Sequence, residues 1–199
     1  MSEKITRYSN NVEIRKRDDE DGRVEGFAVV FNETADMGWF EEEIDAHAFD
    51  EADMSDVVLN FNHDDSLLLA GTRNGSLELQ VRDNGLFQSS KIIDTTQGKD
   101  VMKLVENGLI SKMSFAFTID RDGGEEWTER KLSGGTYKDH RLIKRIAKLY
   151  DVSLVTFPAY PTTSAWARGN SDELAEQHKA LKQKRAEQDK KMEEILKNE

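Results

Sequence analysis

The sequence predicts a mostly antiparallel β domain with two short helices, followed by a helical tail. Three observations predict it. Most of the chain before residue 171 falls into short runs of alternating apolar residues bounded by turn residues. Two Asn-Gly dipeptides stand between such runs. Helical spacing is confined to two windows ahead of the tail. Residues 12–16 and 23–31 (RVEGFAVVF) read as strands joined by the acidic, glycine-ended turn DDEDG. A loop with Trp39 and Phe40 follows, then IDAHAFDEA, read as a short helix with Asp45 as its N-cap. DVVLNFNH, residues 56–63, reads as a strand with polar residues at its end. Asn74-Gly75 and Asn84-Gly85 then separate LLLAGTR, SLELQV and LFQSSKI, which predicts two hairpins with positive φ at the turns. DTTQGKDVMKLVENG reads as a helix with an apolar stripe of Val101, Leu104 and Val105 and with Gly108 at C′. GLISKMSFAF is the next strand. Met113, Phe115, Phe117 and Ile119 form its inward face, and Ser114, Ala116 and Thr118 the other. A glycine-rich stretch around Gly123-Gly124 and Gly134-Gly135 reads as a hairpin extension. RLIKRIAKLYDVSLVTF supplies one or two more strands and stops at Pro158 and Pro161.

Composition limits the function. The chain has 199 residues, with 37% hydrophobic and 34% charged, so part of the length lies outside a core. A net charge of −11 argues against nucleic-acid binding through a broad basic surface. With no cysteine there is no disulfide, thiolate nucleophile or cysteine-held zinc. The opening MSEKITRYSN is polar and no apolar run reaches the roughly 20 residues of a membrane helix, so the expectation is a soluble intracellular protein without a membrane partner. From Ser171 onward glycine and proline are absent, and large apolar residues are sparse. The expected unit there is a solvated helix or a weak coiled-coil contact with a partner. The stretch from 171 carries 7 basic and 8 acidic residues, which leaves the negative charge on the rest of the chain.

Ser114 is the residue that asks for an explanation: a bare hydroxyl on a strand of bulky residues, with small groups beside it. It is either structural or a nucleophile, and a nucleophilic serine needs a base and a group to orient that base. Of His47, His63, His140 and His178, the tail residue His178 and His140 in the charged KDHRLIKR read as surface residues. His47 falls within the short expected helix. His63 shares parity with Val57, Leu59 and Phe61 and ends a strand, where a site can open on a rigid scaffold. Asp151, a charge within LYDVSLV, is either a strand-edge residue facing water or a carboxylate that needs a partner. A metal site from His63, Asp64 and Asp65 is disfavoured, because neighbouring strand residues point to opposite faces.

Taken together, EGFAVVFN, IDAHAFDEA, LNFNHDD, LAGTRNGSLEL, GLISKMSFAF and LYDVSLVTFPAYPTTSA, in that order, strongly resemble the prohead (capsid maturation) serine proteases of tailed bacteriophages. The resemblance covers roughly residues 10–167 and is distantly similar to the herpesvirus assembly proteases. It implies a β-rich α+β fold, a small mostly antiparallel β-barrel flanked by helices. The implied organisation is a protease domain over residues 1–167 and a charged helical tail or linker over 168–199. It implies Ser114 as nucleophile, His63 as general base and Asp151 at the third position, where family members commonly carry Glu or Asp and the herpesvirus enzymes a second histidine. It implies a serine endopeptidase, without a cofactor or metal, that processes capsid and scaffold proteins and itself in the host cytoplasm, inside the assembling prohead. Its expected partners are the major capsid protein with its scaffolding segment, the portal-containing prohead and other copies of itself. An oxyanion hole from backbone N–H groups is expected, with the turn after Phe157 as a source. The alternative is a non-enzymatic capsid-assembly or scaffold protein of the same fold.

Overall fold

In a computed structural model, residues 4–9, 15–16, 23–132 and 135–156 are described. Their strands, in chain order, are β1 (Ile5–Ser9), β2 (Arg15–Lys16), β3 (Arg23–Val30), β4 (Ala35–Asp36), β5 (Phe40–Ile44), β6 (Val58–Phe61), β7 (Asp64–Gly71), β8 (Leu77–Arg82) and β9 (Gly85–Lys91). After helix α1 (Thr96–Glu106) come β10 (Lys112–Ile119), β11 (Glu125–Lys131), β12 (Tyr137–Ile143) and β13 (Ile146–Val155). They form three sheets, in the orders β1-β10-β13-β6-β7, β11-β12-β5-β4 and β2-β3-β9-β8. Pairing is antiparallel except for β12 with β5 and β13 with β6. The β-rich, mostly antiparallel expectation therefore holds. The barrel is not closed: among the described residues no ladder joins the edge strands of any sheet.

The two Asn-Gly turns differ in what they connect. Gly75 turns the chain with φ of 71°, as its Asn-Gly sequence predicts. That turn does not make a hairpin, because β7 stays in the first sheet while β8 pairs with β9 in the third. The second dipeptide does sit at a hairpin, between β8 and β9, with Arg82 opposite Gly85. Neither Asn84 nor Gly85 has positive φ. Gly85 is needed for a different reason: a Cβ there would stand 2.1 Å from the Val29 carbonyl oxygen.

One helix, α1, forms among the described residues. Thr95 caps it by accepting from Gly98 N–H at 3.0 Å. Gly108, at φ of 69°, is the C′ residue of a Schellman motif. Its N–H donates to Val105 O and that of Leu109 to Leu104 O, both at 2.9 Å. Val101, Met102 and Val105 are the buried stripe, with Leu104 packed at its margin. The second expected helix is absent. Residues 46–51 are successive turns closed by i to i+3 bonds such as Ala48 N–H to Asp45 O at 3.0 Å. Asp45 still caps, accepting from His47 N–H at 2.8 Å, and the segment is pinned by buried Ala48 and Phe49. The tail and its boundary lie outside the described residues.

Between the sheets lies one apolar core that includes Val24, Phe49, Leu59, Leu86, Ile110, Phe117, Leu149 and Leu154. Strand β10 runs through it, so the expected alternation is lost: Met113 to Thr118 are all buried. β1 borders it on one side and β13 on the other, and both its faces are covered.

Candidate active site

The β10–β13 ladder places Ser114 opposite Ser153 and Ala116 opposite Asp151. Paired residues share a face, and so do residues two apart, so Ser114 and Asp151 project on the same side of the sheet. Next in the sheet, β6 runs parallel to β13, with Asn60 beside Ser153. The β6 strand ends in a two-residue hairpin loop, because Phe61 pairs with Asp64. The loop residues Asn62 and His63 have φ of 53° and 57°, the positive values a type I′ turn requires. His63 is therefore on a turn, not on the strand as its parity suggested.

That turn is tied to the end of β13 at three points. Asn62 N–H donates to Leu154 O at 2.9 Å, Asn62 Oδ1 accepts from Thr156 N–H at 3.1 Å, and His63 N–H donates to Ser153 Oγ at 2.9 Å. Ser153 and Asn62, which hold this turn, are not singled out by the sequence. The signal for Asn62 was present: asparagine is among the residues that tolerate left-handed backbone in a tight hairpin.

Held in this way, the imidazole stands between the other two candidates. Its Nδ1 lies 2.6 Å from Asp151 Oδ1, and its Nε2 is hydrogen-bonded to Ser114 Oγ. A carboxylate can only accept, so Nδ1 carries the proton and Nε2 is left to accept from the serine. Asp151 is 1% exposed. Its Oδ2 makes no hydrogen bond but lies 3.1 Å from the ammonium of half-exposed Lys4, an attraction without hydrogen-bond alignment. The structure thus brings together all three residues singled out from sequence. His47 is exposed and pairs with Asp50 at 3.0 Å, and His140, expected at the surface, is buried with its Nε2 3.2 Å from Glu43 Oε2. His178 and the turn after Phe157 lie outside the described residues. Among the described residues no group of three or more histidines and carboxylates is placed to hold a metal ion.

Ser114 is not open to solvent; its exposure is 0%. Edge strand β1 runs antiparallel to β10, with Tyr8 opposite Ser114. The Ser114 hydroxyl lies 2.7 Å from the carbonyl oxygen of Arg7. One hydroxyl has one proton, so it is given either to that carbonyl or to His63 Nε2. The Arg7 side chain turns away into a cluster of charges. Both Nε and Nη2 donate to the Glu42 carboxylate, the second at 2.9 Å. Arg141 donates to Glu42 Oε2 at 3.1 Å and to Glu125 Oε2 at 2.6 Å. Burial works against the charged form of Glu42, but Arg7 and then Arg141 outweigh it and hold the carboxyl below its usual range. Glu42 had a sequence signal as well. In FEEEI it shares parity with Phe40 and Ile44, both buried, and is 3% exposed itself.

Comparison with known proteins adds three findings. The sequence profile of the caudovirus prohead serine proteases matches residues 10–178. No curated protein matches the chain in sequence. Among solved structures, the capsid assembly protease of bacteriophage T4 aligns over 76% of this chain and 96% of its own, with 9% identity and a TM-score of 0.45.

Proposed function

The chain belongs to the caudovirus prohead serine protease family, and on that premise we propose that it is a serine endopeptidase in which Ser114 is the nucleophile, His63 the general base and Asp151 the orienting carboxylate. The observation that carries this reading is the continuous contact from Asp151 Oδ1 through His63 to Ser114 Oγ, built from strands β13 and β10 and the turn that follows β6. In the first step the Ser114 oxygen bonds to a substrate carbonyl carbon while its proton moves to His63 Nε2. Asp151, accepting from Nδ1–H, favours the imidazolium that results. The peptide C–N bond then breaks as His63 returns the proton to the departing amine, leaving an ester on Ser114. Water repeats the sequence: its proton goes to His63, its oxygen to the acyl carbon, and the serine is restored.

The burial of Ser114 favours the other reading, a non-enzymatic assembly protein. β1 is an edge strand held to one neighbour in its sheet, so its departure uncovers β10 without breaking another ladder. The substrates in this reading are the major capsid protein with its scaffolding segment and the chain itself, cut inside the portal-containing prohead in the host cytoplasm. Residues 1–167 form the protease domain. The tail, residues 168–199, engages scaffold or capsid subunits, or further copies of the chain, or is trimmed off. No helix among the described residues is long and apolar enough to cross a membrane.

The test is chemical. A fluorophosphonate should inactivate the purified chain and add its mass to the peptide carrying Ser114, while a chelator leaves proteolysis unchanged. Inactivation by the chelator, with no label on Ser114, would overturn the reading.

A further inference from the structure

An edge strand ordinarily turns its charged side chains to water. Arg7 does the opposite. Its side chain is 11% exposed and meets a carboxylate that is 3% exposed. Taking such a pair out of water costs several kcal/mol before the attraction returns any of it, so a buried ion pair is poor evidence of a stabilising device. The position of this one has a different logic. The residue whose guanidinium enters the pocket is the residue whose carbonyl oxygen stands 2.7 Å from Ser114 Oγ.

An extended peptide that adds to a sheet edge gains affinity from its backbone and specificity from the pockets its side chains enter. β1 has that relation to β10 over five paired residues, Ile5 opposite Phe117 through Ser9 opposite Met113. The pocket for the side chain beside the reacting carbonyl is made by Glu42 on β5, with Arg141 of β12 bound to Glu125 and to the Glu42 Oε2 that also accepts from Arg7. When Arg7 is withdrawn, two carboxylates face one guanidinium, and a buried negative charge is left short of a partner. A cation of arginine or lysine geometry restores the balance, whereas an apolar or acidic side chain leaves Glu42 to share the Arg141 guanidinium with Glu125.

We propose that β1 is held as a substrate strand, that Arg7 fills the subsite of the residue whose carbonyl is attacked, and that Glu42 makes the enzyme select arginine or lysine there. The inference rests on the endopeptidase reading. It also assigns the bond the enzyme cuts in its own chain. The Arg7 carbonyl becomes the ester on Ser114, the Arg7–Tyr8 C–N bond breaks, and Tyr8 leaves with the proton from His63 as a new amino terminus. Hydrolysis of the ester then frees the segment ending in Arg7, and the edge of β10 is open to other substrates.

The experiment uses the full chain and two readouts. In the first, peptides identical except at the residue before the scissile bond carry Arg, Lys, Met, Ala or Glu. We expect kcat/KM for Arg and Lys to exceed the others at least about tenfold. Glu42→Gln should narrow that ratio by lowering the basic substrates most. In the second, intact mass follows self-cleavage of wild type, Arg7→Lys and Arg7→Glu. A product beginning at Tyr8 is expected from the first two and at least about tenfold less of it from the third. The peptide series on wild type does not depend on whether the Glu42 variant folds. If peptides are cut in a Ser114-dependent way but without preference for Arg and Lys, the specificity falls and the endopeptidase stands. If no peptide is cut and no mass is lost, both fall.

Discussion

His63 occupies a backbone conformation few non-glycine residues adopt, at φ of 57°, directly after Asn62 at 53°. Left-handed backbone costs an ordinary side chain about 1–2 kcal/mol, and asparagine less. Asn62→Ala should therefore lower stability by roughly 1–2 kcal/mol and lower kcat, because the same residue ties the turn to Thr156. Urea melts and steady-state kinetics check it, and an unchanged kcat would show that the turn does not position the imidazole. Asp151→Asn should reduce kcat by about one to two orders of magnitude less than loss of Ser114 does, with Asp151→Glu retaining more activity than Asn. Equal activity of all three forms would make Asp151 structural. Glu42 adds a pH dependence. Its folded carboxyl lies below the usual 4.5, so its contribution is complete above that value and fades as pH falls through its lower folded range. The Tm gap between wild type and Glu42→Gln should be constant near neutrality and close in acid; a gap independent of pH down to acid denaturation would contradict the assignment. At this scale the sequence carried a good deal. Ser114 and Asp151 are each legible as a polar group in an apolar run, and His63 as the residue that ends one. Arg7 and Ser153 are not, because their roles come from partners 107 and 90 residues away in the chain.

For the elements, type was more legible than connection. An Asn-Gly pair says where the chain turns and not which sheet it joins next, which is why the stretch at Asn74-Gly75 reads as a hairpin and is a crossing between sheets. Residues 44–52 have helical spacing, but the segment is too short to repay helix nucleation and settles for separate turns around Ala48 and Phe49. Parity misplaced His63 because two positive φ values reset the alternation after Phe61. The barrel came from family resemblance and not from the residues, and the ladders do not close. Helix α1 was readable at its C-terminal end because its Schellman signals are local. Gly108→Ala, at φ of 69°, should cost about 1 kcal/mol by urea denaturation. Gly85→Ala should cost more, about 2 kcal/mol or above, since the new methyl meets the fixed backbone of β3. If the two losses were equal, or reversed, the close approach at Val29 would be relaxing freely.

On the scale of the whole molecule, one terminal segment is proposed to be separable from the chemistry and the other to be cut by it. The tail from residue 171 carries too few large apolar residues for a core of its own, so a chain ending at Ala167 should keep its melt and its cleavage of short peptides while losing incorporation into proheads. A collapsed melt would place the tail in the packing of the domain. The N-terminal strand is the opposite case, fully engaged with β10 and removed by the act it blocks. Both ideas depend on the same central claim, that the hydroxyl of Ser114 does the cutting with His63 as its base. The most direct test co-expresses the chain with the major capsid protein of its phage and follows capsid-protein length on a gel. Wild type is compared with Ser114→Ala and His63→Ala, each verified as folded by circular dichroism. Wild type should shorten the capsid protein, and each variant should slow the cut by about 10⁴-fold or more, to no visible product. Shortening at the wild-type rate in a folded Ser114→Ala chain would contradict the account.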